Sequence, residues 1–421
     1  MVERVILPCR PWGLVSRPRW EIILKSMIES IICLVVLLSL PGVPPVAGAS
    51  DANLSVAAAE EWSALFDRDS GWVGADGAYS IPLSGSEAYQ RGSEGRTLFL
   101  FGDTFIGQVK EEGKRQSGTT MVNNTSAILW GSQPEPEKAE FYYHTDDSGK
   151  PAALFVPSTP EVGSERWYWP MDGTVLADTL YIFASRIRRS KGDSDAFNFA
   201  LDGAALLRTD VDNVTDFRTY RQVEAPLYIQ SKGDDGDVVF GGAIMVNTKE
   251  AGSGNPDGFV YVYGLRNDRF NKKLLAARVR PDKLANFGAW RFWDGESWSK
   301  AIRDAAPLTE RLSSGFSVSP LADGRFACVF QLDGIGEHVA LRIGESPVGP
   351  FGPVRKIWKP PELEMDEDIF CYNAKAHPHL SPPGQLLISY NVNSFDFGDH
   401  FRNADIYRPR FIRVRLPDRF E

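Results

Sequence analysis

Five pairs of strand-like segments recur along this chain, and this repetition restricts its fold more than any other feature. Each pair joins a segment rich in Gly, Ala and Ser to one rich in aromatic residues. The pairs are 74–83 with 97–107, 171–177 with 179–187, 238–246 with 258–268, 316–322 with 325–333, and 372–380 with 385–394. Apolar runs bounded by Gly, Asp, Asn and Pro are typical of strands and turns. A repeated sheet unit of this kind predicts an all-β chain.

The spacing and composition of the pairs favour a radial arrangement. Strands closest to a propeller axis are crowded and suit small residues, whereas the next strands fill the wedge between blades with aromatic side chains. The first strands begin near Asp76, Asp172, Gly241, Phe316 and Asn373, and no linker separates the units. We therefore predict a five-bladed β-propeller over residues 71–421, with a large β-sandwich as the alternative.

The N-terminal 49 residues do not resemble the rest of the chain. Four basic residues, Arg10, Arg17, Arg19 and Lys25, precede a short apolar run over 31–40 and the sequence Ala-Gly-Ala at 47–49. This order is typical of a secretory signal peptide. We predict that residues 1–49 are such a signal and that the protein is secreted or extracytoplasmic; an uncleaved N-terminal anchor is the alternative. Residues 50–70 are predicted to lead into the propeller and to include a short helix.

The charge of the chain argues against anionic partners. The formal net charge is −9, and removal of residues 1–49, with five basic and three acidic residues, makes it −11. A chain with this negative charge is not expected to bind nucleic acid or an anionic membrane surface. The only membrane contact that we expect is the possible N-terminal anchor. A neutral sugar is compatible with the charge. We expect a monomer that binds a polysaccharide or oligosaccharide. Cys328 and Cys371 remain as either one disulfide or two buried thiols.

Blade geometry predicts where polar residues meet. Because the second strand of a blade runs antiparallel to the first, the start of one and the end of the other share a face. Three aspartates, Asp76, Asp103 and Asp172, fall on this face of the predicted propeller. The candidate substrate-binding residues that accompany them are Asn123, Asn124, Arg186, Asn373, His377, Asn391 and Asn393.

This set has the chemistry of a glycosidase. Two carboxyl groups flanking a glycosidic bond can supply the proton and assist the attacking group, and amides and Arg can fix sugar hydroxyls. Two neighbouring carboxylates resist ionising together, so one pKa rises. We predict a glycoside hydrolase with Asp76, Asp103 and Asp172 as catalytic residues. Full activity in Asp76→Asn or Asp103→Asn would end that assignment.

Plainer interpretations of the same residues stay open. Each of the three aspartates adjoins a glycine, and such pairs often form only a turn. His377, followed by Pro378, fits a hydrogen-bonded core histidine. The whole molecule could be a non-catalytic carbohydrate-binding propeller or a protein-interaction surface. We predict no cofactor and no metal; calcium is left open, but no motif supports it, since the acidic cluster over 234–237 lacks a twelve-residue ligand pattern.

Several motifs resemble one group of proteins. The motifs are G-x-x-G-A-D-G-x-Y-S at 71–80, L-F-L-F-G-D-T-F at 98–105 and N-N-T-S at 123–126, together with 344–351, Ala-His-Pro at 376–378 and 387–393. They resemble secreted five-bladed propeller proteins catalogued as domains of unknown function, over nearly the whole mature chain. A relative of that group comprises endo-acting D-arabinanases. The resemblance implies a glycoside hydrolase, with an arabinofuranan as a candidate substrate, and Asp76 and Asp103 as the catalytic pair.

The chain departs from the wider propeller glycosidases in one respect. Arabinanases and xylosidases use three acids on successive blades, and Asp76 and Asp172 fit the first two places. The third-blade strand over 238–246 contains no glutamate. This departure favours pairing Asp76 with Asp103, and leaves Asp172 to adjust a pKa or to contact substrate.

Overall fold

Short antiparallel strands joined by Gly-, Asp- and Pro-containing turns make up most of the molecule. The structure is a computed structural model that describes residues 54–89, 95–158, 165–190, 198–231, 236–268 and 271–417, which lie in one compact unit spanning Asp51–Glu421. The predicted signal segment 1–49 lies outside the described residues. No helix in the described ranges is long and apolar enough to cross a membrane.

The strands of the first half of the chain are β1 (Ser55–Ala58), β2 (Ser70–Ala75), β3 (Tyr79–Pro82), β4 (Arg96–Phe101), β5 (Thr104–Gln108), β6 (Thr120–Val122), β7 (Thr125–Trp130), β8 (Ala139–Tyr142), β9 (His144–Thr145), β10 (Pro151–Ala152), β11 (Arg166–Leu176), β12 (Thr179–Arg189), β13 (Phe199–Asp210) and β14 (Arg221–Ala225). Those of the second half are β15 (Tyr228–Ile229), β16 (Asp237–Asn247), β17 (Phe259–Asp268), β18 (Asn271–Val279), β19 (Arg291–Trp293), β20 (Trp298–Ser299), β21 (Thr309–Leu312), β22 (Phe316–Pro320), β23 (Phe326–Gln331), β24 (Val339–Gly344), β25 (Arg355–Trp358), β26 (Ile369–Ala376), β27 (Gln385–Ser394) and β28 (Pro409–Arg415).

Helices are short and few in the described ranges. The α-helices are α1 (Glu60–Ala64) and α2 (Asp399–Arg402). The 3₁₀ turns are Pro136–Lys138, Val211–Asn213, Pro281–Lys283, Phe287–Ala289, Ile302–Asp304, Pro361–Glu364 and Pro378–Leu380. The predicted all-β class is therefore confirmed.

Five sheets of four or more strands hold most of the described strands. Sheet 1 has the order β3-β4-β7-β8, sheet 2 β11-β12-β13-β14, and sheet 3 β15-β16-β17-β18-β19-β20 with β21 on β18. Sheet 4 has the order β22-β23-β24-β25 and sheet 5 β1-β28-β27-β26. A three-stranded sheet, β2-β5-β6, and the β9-β10 pair complete the set.

One strand of each large sheet contacts the corresponding strand of the next. β3 contacts β11, β11 contacts β16, β16 contacts β22, and β22 contacts β26. Two hydrogen bonds link β26 and the residue after it back to sheet 1: Lys375 Nζ donates to the Gly77 carbonyl at 2.5 Å, and His377 Nδ1 lies 2.6 Å from Ser80 Oγ. The five predicted strand starts thus fall in, or just before, five successive strands that contact one another.

The segment before residue 71 is more than a lead-in. β1 pairs antiparallel with β28, in the register Ser55 with Arg415 through Ala58 with Ile412, so the first described strand completes the last sheet. The predicted short helix is present as α1. Phe66, just after α1, is fully buried and stacks on Phe411 at 5.5 Å between ring centroids. The N- and C-terminal ends of the described chain therefore share one core.

The aromatic strands form the core, as their composition predicts. Leu98, Phe99, Leu100 and Phe101 are all buried, because β4 is covered on both faces. Cys328 and Cys371 are buried free thiols rather than a disulfide.

Bulges interrupt β2, β11, β16 and β26. Register shifts occur between Trp72 and Ala75 in β2, between Pro170 and Gly173 in β11, between Phe240 and Ala243 in β16, and between Tyr372 and Lys375 in β26. A bulge breaks the strict alternation of side chains and re-aims the residues that follow it. Three of these four bulges lie within four residues of a side chain that contributes to the site described next.

Candidate active site

Asp76 and Asp103 lie on turns that hydrogen-bond to each other. Asp76 follows β2, and Asp103 lies between β4 and β5. The Asp76 amide donates to the Asp103 carbonyl at 3.3 Å, and the Gly102 amide donates to the Asp76 carbonyl at 3.0 Å. These backbone bonds fix the two turns side by side, as the predicted pairing requires.

Sheet 5 holds the Asp76 turn from the other side. Asn391 Oδ1 accepts from the Gly77 amide at 3.2 Å, and its Nδ2 donates to the Ala75 carbonyl at 3.5 Å. Lys375 Nζ donates to the Gly77 carbonyl and lies 3.6 Å from the centroid of the Tyr79 ring. Asn391 is 1% exposed, so this predicted substrate-binding residue positions the Asp76 turn instead.

Hydrogen-bond donors surround the Asp76 carboxylate. Tyr372 donates its hydroxyl to Asp76 Oδ2 at 2.7 Å, and Asn393 Nδ2 donates to the Tyr372 oxygen at 3.1 Å. His400 Nε2 lies 2.8 Å from Asn393 Oδ1. Burial raises the pKa of Asp76, while Tyr372, the Lys375 charge and Tyr407 act to lower it. Asn393 thus orients the tyrosine that contacts Asp76, a positioning role in place of the predicted substrate contact.

The Asp103 carboxylate has a different environment. Its Oδ1 accepts from Asn123 Nδ2 at 3.2 Å and from Trp169 Nε1 at 3.0 Å. Burial, followed by the negative charge of Asp76, raises the pKa of Asp103 to about 7. Asn123 and Asp103 are both half-buried, so Asn123 remains at the site where the sequence placed it.

A glycine keeps space between the two acids. A Cβ atom at Gly102 would lie 2.5 Å from Asp76 Oδ1 and 3.8 Å from Trp169 Cδ1. The side chain of any other residue would press against the Asp76 carboxylate. Gly102 therefore lets Asp76 and the tryptophan that contacts Asp103 approach one another.

The two aspartates are chemically unequal. Asp76 has donors from sheet 5 and a nearby cation, which stabilise its ionised form. Asp103 has neutral donors and an anionic neighbour, which favour its protonated form. Burial raises the pKa of both carboxyls, but only that of Asp103 is raised further by the charge of its neighbour, so Asp103 keeps its proton to higher pH than Asp76.

Asp172 lies apart from this hydrogen-bonded pair. Its Oδ2 accepts from the Ile244 amide at 2.7 Å and its Oδ1 from the Gly173 amide at 2.9 Å. It lines a cavity of about 30 Å³ together with Glu87, Tyr79 and Lys375; neither Asp76 nor Asp103 lines that cavity. Lys375 interacts electrostatically with both Asp172 and Asp76.

The acids and the lysine near this cavity have shifted pKa values. Burial raises the pKa of Asp172 to about 7. Burial and the charge of Asp172 raise the pKa of Glu87 to about 8. Burial lowers the pKa of Lys375 to about 7, against the opposing effect of Asp172 and Asp76.

Two predicted substrate-binding residues are structural. Asn124 is fully buried: its Nδ2 donates to the carbonyls of Phe155 and Tyr168, each at 2.9 Å, and its Oδ1 accepts from the Phe155 amide at 2.8 Å. His377 is also fully buried, with Ser80 at one ring nitrogen and Ser389 at 2.8 Å from the other. Neither side chain has surface to offer a ligand, so neither binds substrate as predicted. The other interpretation of His377, a hydrogen-bonded core histidine, is confirmed.

Arg186 and Asn373 also have structural partners. The Arg186 guanidinium bonds to Asp202 and forms an ion pair with Glu224 inside sheet 2, and is not bound to the acid pair. Asn373 lies in the β26 bulge at φ +56° and accepts from the Gly315 amide at 3.0 Å. Both therefore stabilise the sheets around the site rather than presenting a sugar-binding group.

The sequence did not single out several side chains that complete the site. Tyr372, Tyr407 and Glu87 were not among the candidates. Tyr372 and Lys375 both reach the Asp76 turn because the bulge between them breaks the alternation of β26. The spacing of Tyr372 and Lys375 in the sequence does not predict that both side chains reach the same turn, because packing determines where the bulge forms. In the described ranges, no cluster of three or more His, Cys, Asp or Glu could hold a metal ion.

The chain belongs to a family of undescribed activity. Residues 59–416 match the family described as Domain of unknown function (DUF5005), which agrees with the resemblance noted in the sequence. No curated protein matches the chain.

Several solved structures are similar to this chain, and one of them supports the overall fold. A crystal structure described as a "putative hydrolase" from Bacteroides ovatus has a TM-score of 0.65 and 19% identity, over 89% of this chain and 96% of that one. The GH43 protein BlXynB from Bacillus licheniformis has a TM-score of 0.38 and 10% identity, over 81% and 51% of the two chains. Fructan 1-exohydrolase IIa from Cichorium intybus has a TM-score of 0.41 and 12% identity, over 83% and 57%. The likeness to the Bacteroides ovatus structure, at 19% identity, concerns the fold alone.

Proposed function

We propose that this member of the DUF5005 family is a secreted glycoside hydrolase that cleaves a polysaccharide with Asp76 and Asp103. The observation that carries the proposal is the unequal acid pair. Two half-buried aspartates lie on adjoining turns, and Asp103 has a pKa of about 7 beside the anionic Asp76. Glycosidic bond cleavage requires this combination of a proton donor and a base or nucleophile.

Each aspartate has one role in this proposal. Asp103, protonated near neutral pH, donates its proton to the oxygen of the leaving sugar. Asp76 is ionised. Tyr372 donates a hydrogen bond to its carboxylate, and Asn391 holds its turn in place. In this role Asp76 assists water or attacks the sugar carbon. Trp169 and Asn123 orient the Asp103 carboxyl, and Lys375 favours the negative charge on Asp76. An arabinofuranan is the first substrate to test.

The architecture that we propose around this site is a five-bladed propeller, in which sheets 1 to 5 are the blades. Successive contact between β3, β11, β16, β22 and β26 supports it. The pairing of β1 with β28 would close the ring by completing the last blade with the first strand. Residues 1–49 are proposed to direct secretion.

Release of reducing ends from a panel of neutral polysaccharides, including arabinans, tests the function. We expect the protein lacking residues 1–49 to hydrolyse one of them. Asp76→Asn and Asp103→Asn should each lower kcat at least a hundredfold with unchanged thermal unfolding. Asp282→Asn, a change at a side chain that is 69% exposed, is the matched control and should retain full activity. Full activity in either site variant would refute the assignment, and tight binding without cleavage would indicate a carbohydrate-binding propeller.

A further inference from the structure

Aromatic side chains extend outward from Asp103 on sheet 2. Trp169, which donates to Asp103, packs edge-to-face on Phe199, with 4.7 Å between ring centroids. Trp169 is half-buried, and Phe199 is 37% exposed. We call Trp169 and Phe199 the sheet 2 arm.

A second set of aromatic side chains extends from Asp76 on sheet 5. Tyr372, which donates to Asp76, lies 5.5 Å from Phe370, and Phe370 lies 4.5 Å from Phe395. Phe395 is 45% exposed. We call Tyr372, Phe370 and Phe395 the sheet 5 arm.

The arms lie on the two sheets that flank the acids. The turns of Asp76 and Asp103 adjoin β3 and β4 of sheet 1. β3 contacts β11 of sheet 2, and Ser80 of β3 is hydrogen-bonded to His377, the residue after β26 of sheet 5. Each acid is therefore linked, on a different neighbouring sheet, to a set of rings that ends in an exposed phenylalanine, Phe199 on sheet 2 and Phe395 after sheet 5.

We propose that the two arms are sugar-binding subsites on opposite sides of the acid pair, and that the protein binds a chain across the site and cuts internal bonds. This inference rests on the proposed function. Partly exposed rings offer apolar faces to the C–H groups of a sugar ring, and burial of those surfaces is favourable. Large exposed aromatic side chains next to a polar site are typical of ligand recognition. Subsites on both sides of the acids distinguish internal cleavage from removal of a terminal sugar.

Binding of disaccharides and octasaccharides from linear arabinan, xylan and fructan tests whether both arms bind sugar. The measurement is calorimetric titration of Asp103→Asn, with tryptophan fluorescence as a second readout of Trp169. We expect an octasaccharide of one series to bind at least tenfold more tightly than its disaccharide, because only the longer chain reaches both arms. Adding Phe199→Ala or Phe395→Ala should each weaken octasaccharide binding by roughly tenfold. Trp130→Ala, a change at a 40% exposed ring at the far end of β7 from Asn124, should leave binding unchanged.

Two results would overturn the inference. One is equal affinity for the disaccharide and octasaccharide in every series, including an absence of binding. The other is weaker binding in one arm variant only, which would indicate a single-sided site. Loss of hydrolysis in Asp76→Asn would still support the proposed function in either case, so the two proposals can fail separately.

Discussion

At the scale of single residues, identical side chains take different roles because their neighbours differ. Asp76 and Asp103 share backbone hydrogen bonds, but only Asp76 has a tyrosine hydroxyl as a donor and an attractive charge from Lys375. Only Asp103 has its pKa raised by the other aspartate. Hydrogen bonds and charge thus separate an acid from a base in one residue type.

Tyr372 is the residue that best tests this separation. Tyr372→Phe removes the 2.7 Å donor to Asp76, so the ionised form loses stabilisation and the pKa of Asp76 rises. We expect the acidic limb of the kcat/KM profile to move to higher pH, with activity roughly tenfold lower. Tyr390→Phe is the control, because Tyr390 donates to Glu362 at 3.0 Å elsewhere in sheet 5. An unchanged acidic limb in Tyr372→Phe would show that Tyr372 does not act on Asp76.

The sequence could identify the acids but not all of their partners. Asp76 and Asp103 are recognisable because the start of one strand and the end of its antiparallel partner share a face. Asn391 and Asn393 were correctly placed near this face but were assigned to substrate, since the sequence does not show whether an amide meets backbone or solvent. His377 and Asn124 lie next to strand ends, where a polar residue looks the same in the sequence whether it is buried or exposed. The bonding partners of a polar side chain depend on the neighbouring sheet.

At the scale of elements, bulges determine which side chains reach the site in places where the regular alternation of a strand does not predict it. The period of two predicts which residues line each face of a strand, and it located the five strand pairs. The shift between Tyr372 and Lys375 brings both side chains to the Asp76 turn, contrary to strict alternation. The sequence analysis also missed strand β1, because a strand of only four residues before a helix is too short to show a clear alternation of apolar and polar residues.

The segment around α1 should be essential for stability. Phe66 is fully buried and contacts Trp72, Phe99, Phe101, Phe141 and Phe411. Phe66→Ala would leave a cavity in this cluster and lower the free energy of unfolding by roughly 3 kcal/mol or more. Phe395→Ala, at a 45% exposed ring, should change it by less than about 1 kcal/mol. Urea unfolding compares the two; equal midpoints would show that the N-terminal segment is not part of the core.

At the scale of the whole molecule, charges that carry a desolvation penalty lie near the centre of the strand array. Glu87 and Asp172 line one small cavity with Lys375, and Lys375 also interacts with Asp76. Burial raises the pKa of both acids. The repeated strand pairs predicted the sheets, but Glu87 lies in a connection whose path the pattern does not specify.

Glu87 makes stability depend on pH. Its pKa is about 8 in the folded protein, raised mainly by burial from the usual 4.5. Below pH 4.5 the group is protonated in both states and has no effect. Between pH 4.5 and 8, Glu87 ionises in the unfolded state but stays protonated in the folded state, so the free energy of unfolding falls as the pH rises. This loss of stability reaches its full size above pH 8.

Glu87→Gln should therefore raise the free energy of unfolding at pH 9 by roughly 1–3 kcal/mol, with little change at pH 4. Chemical unfolding at the two pH values provides the measurement. Glu296→Gln, at an exposed position, is the control and should show no difference at either pH. A gain of equal size at pH 4 would contradict a charge-based penalty.

The protonation state of Asp103 tests the central claim most directly, because it requires no substrate. Infrared difference spectra between pH 5 and 9 follow the carboxyl band, and subtraction of the Asp103→Asn spectrum isolates Asp103 from Asp172 and Glu87. We predict that Asp103 loses its proton near pH 7, and that Asp76→Asn lowers this value, because the neighbouring negative charge is removed. An Asp103 that ionises near pH 4, unaffected by Asp76→Asn, would contradict the unequal acid pair.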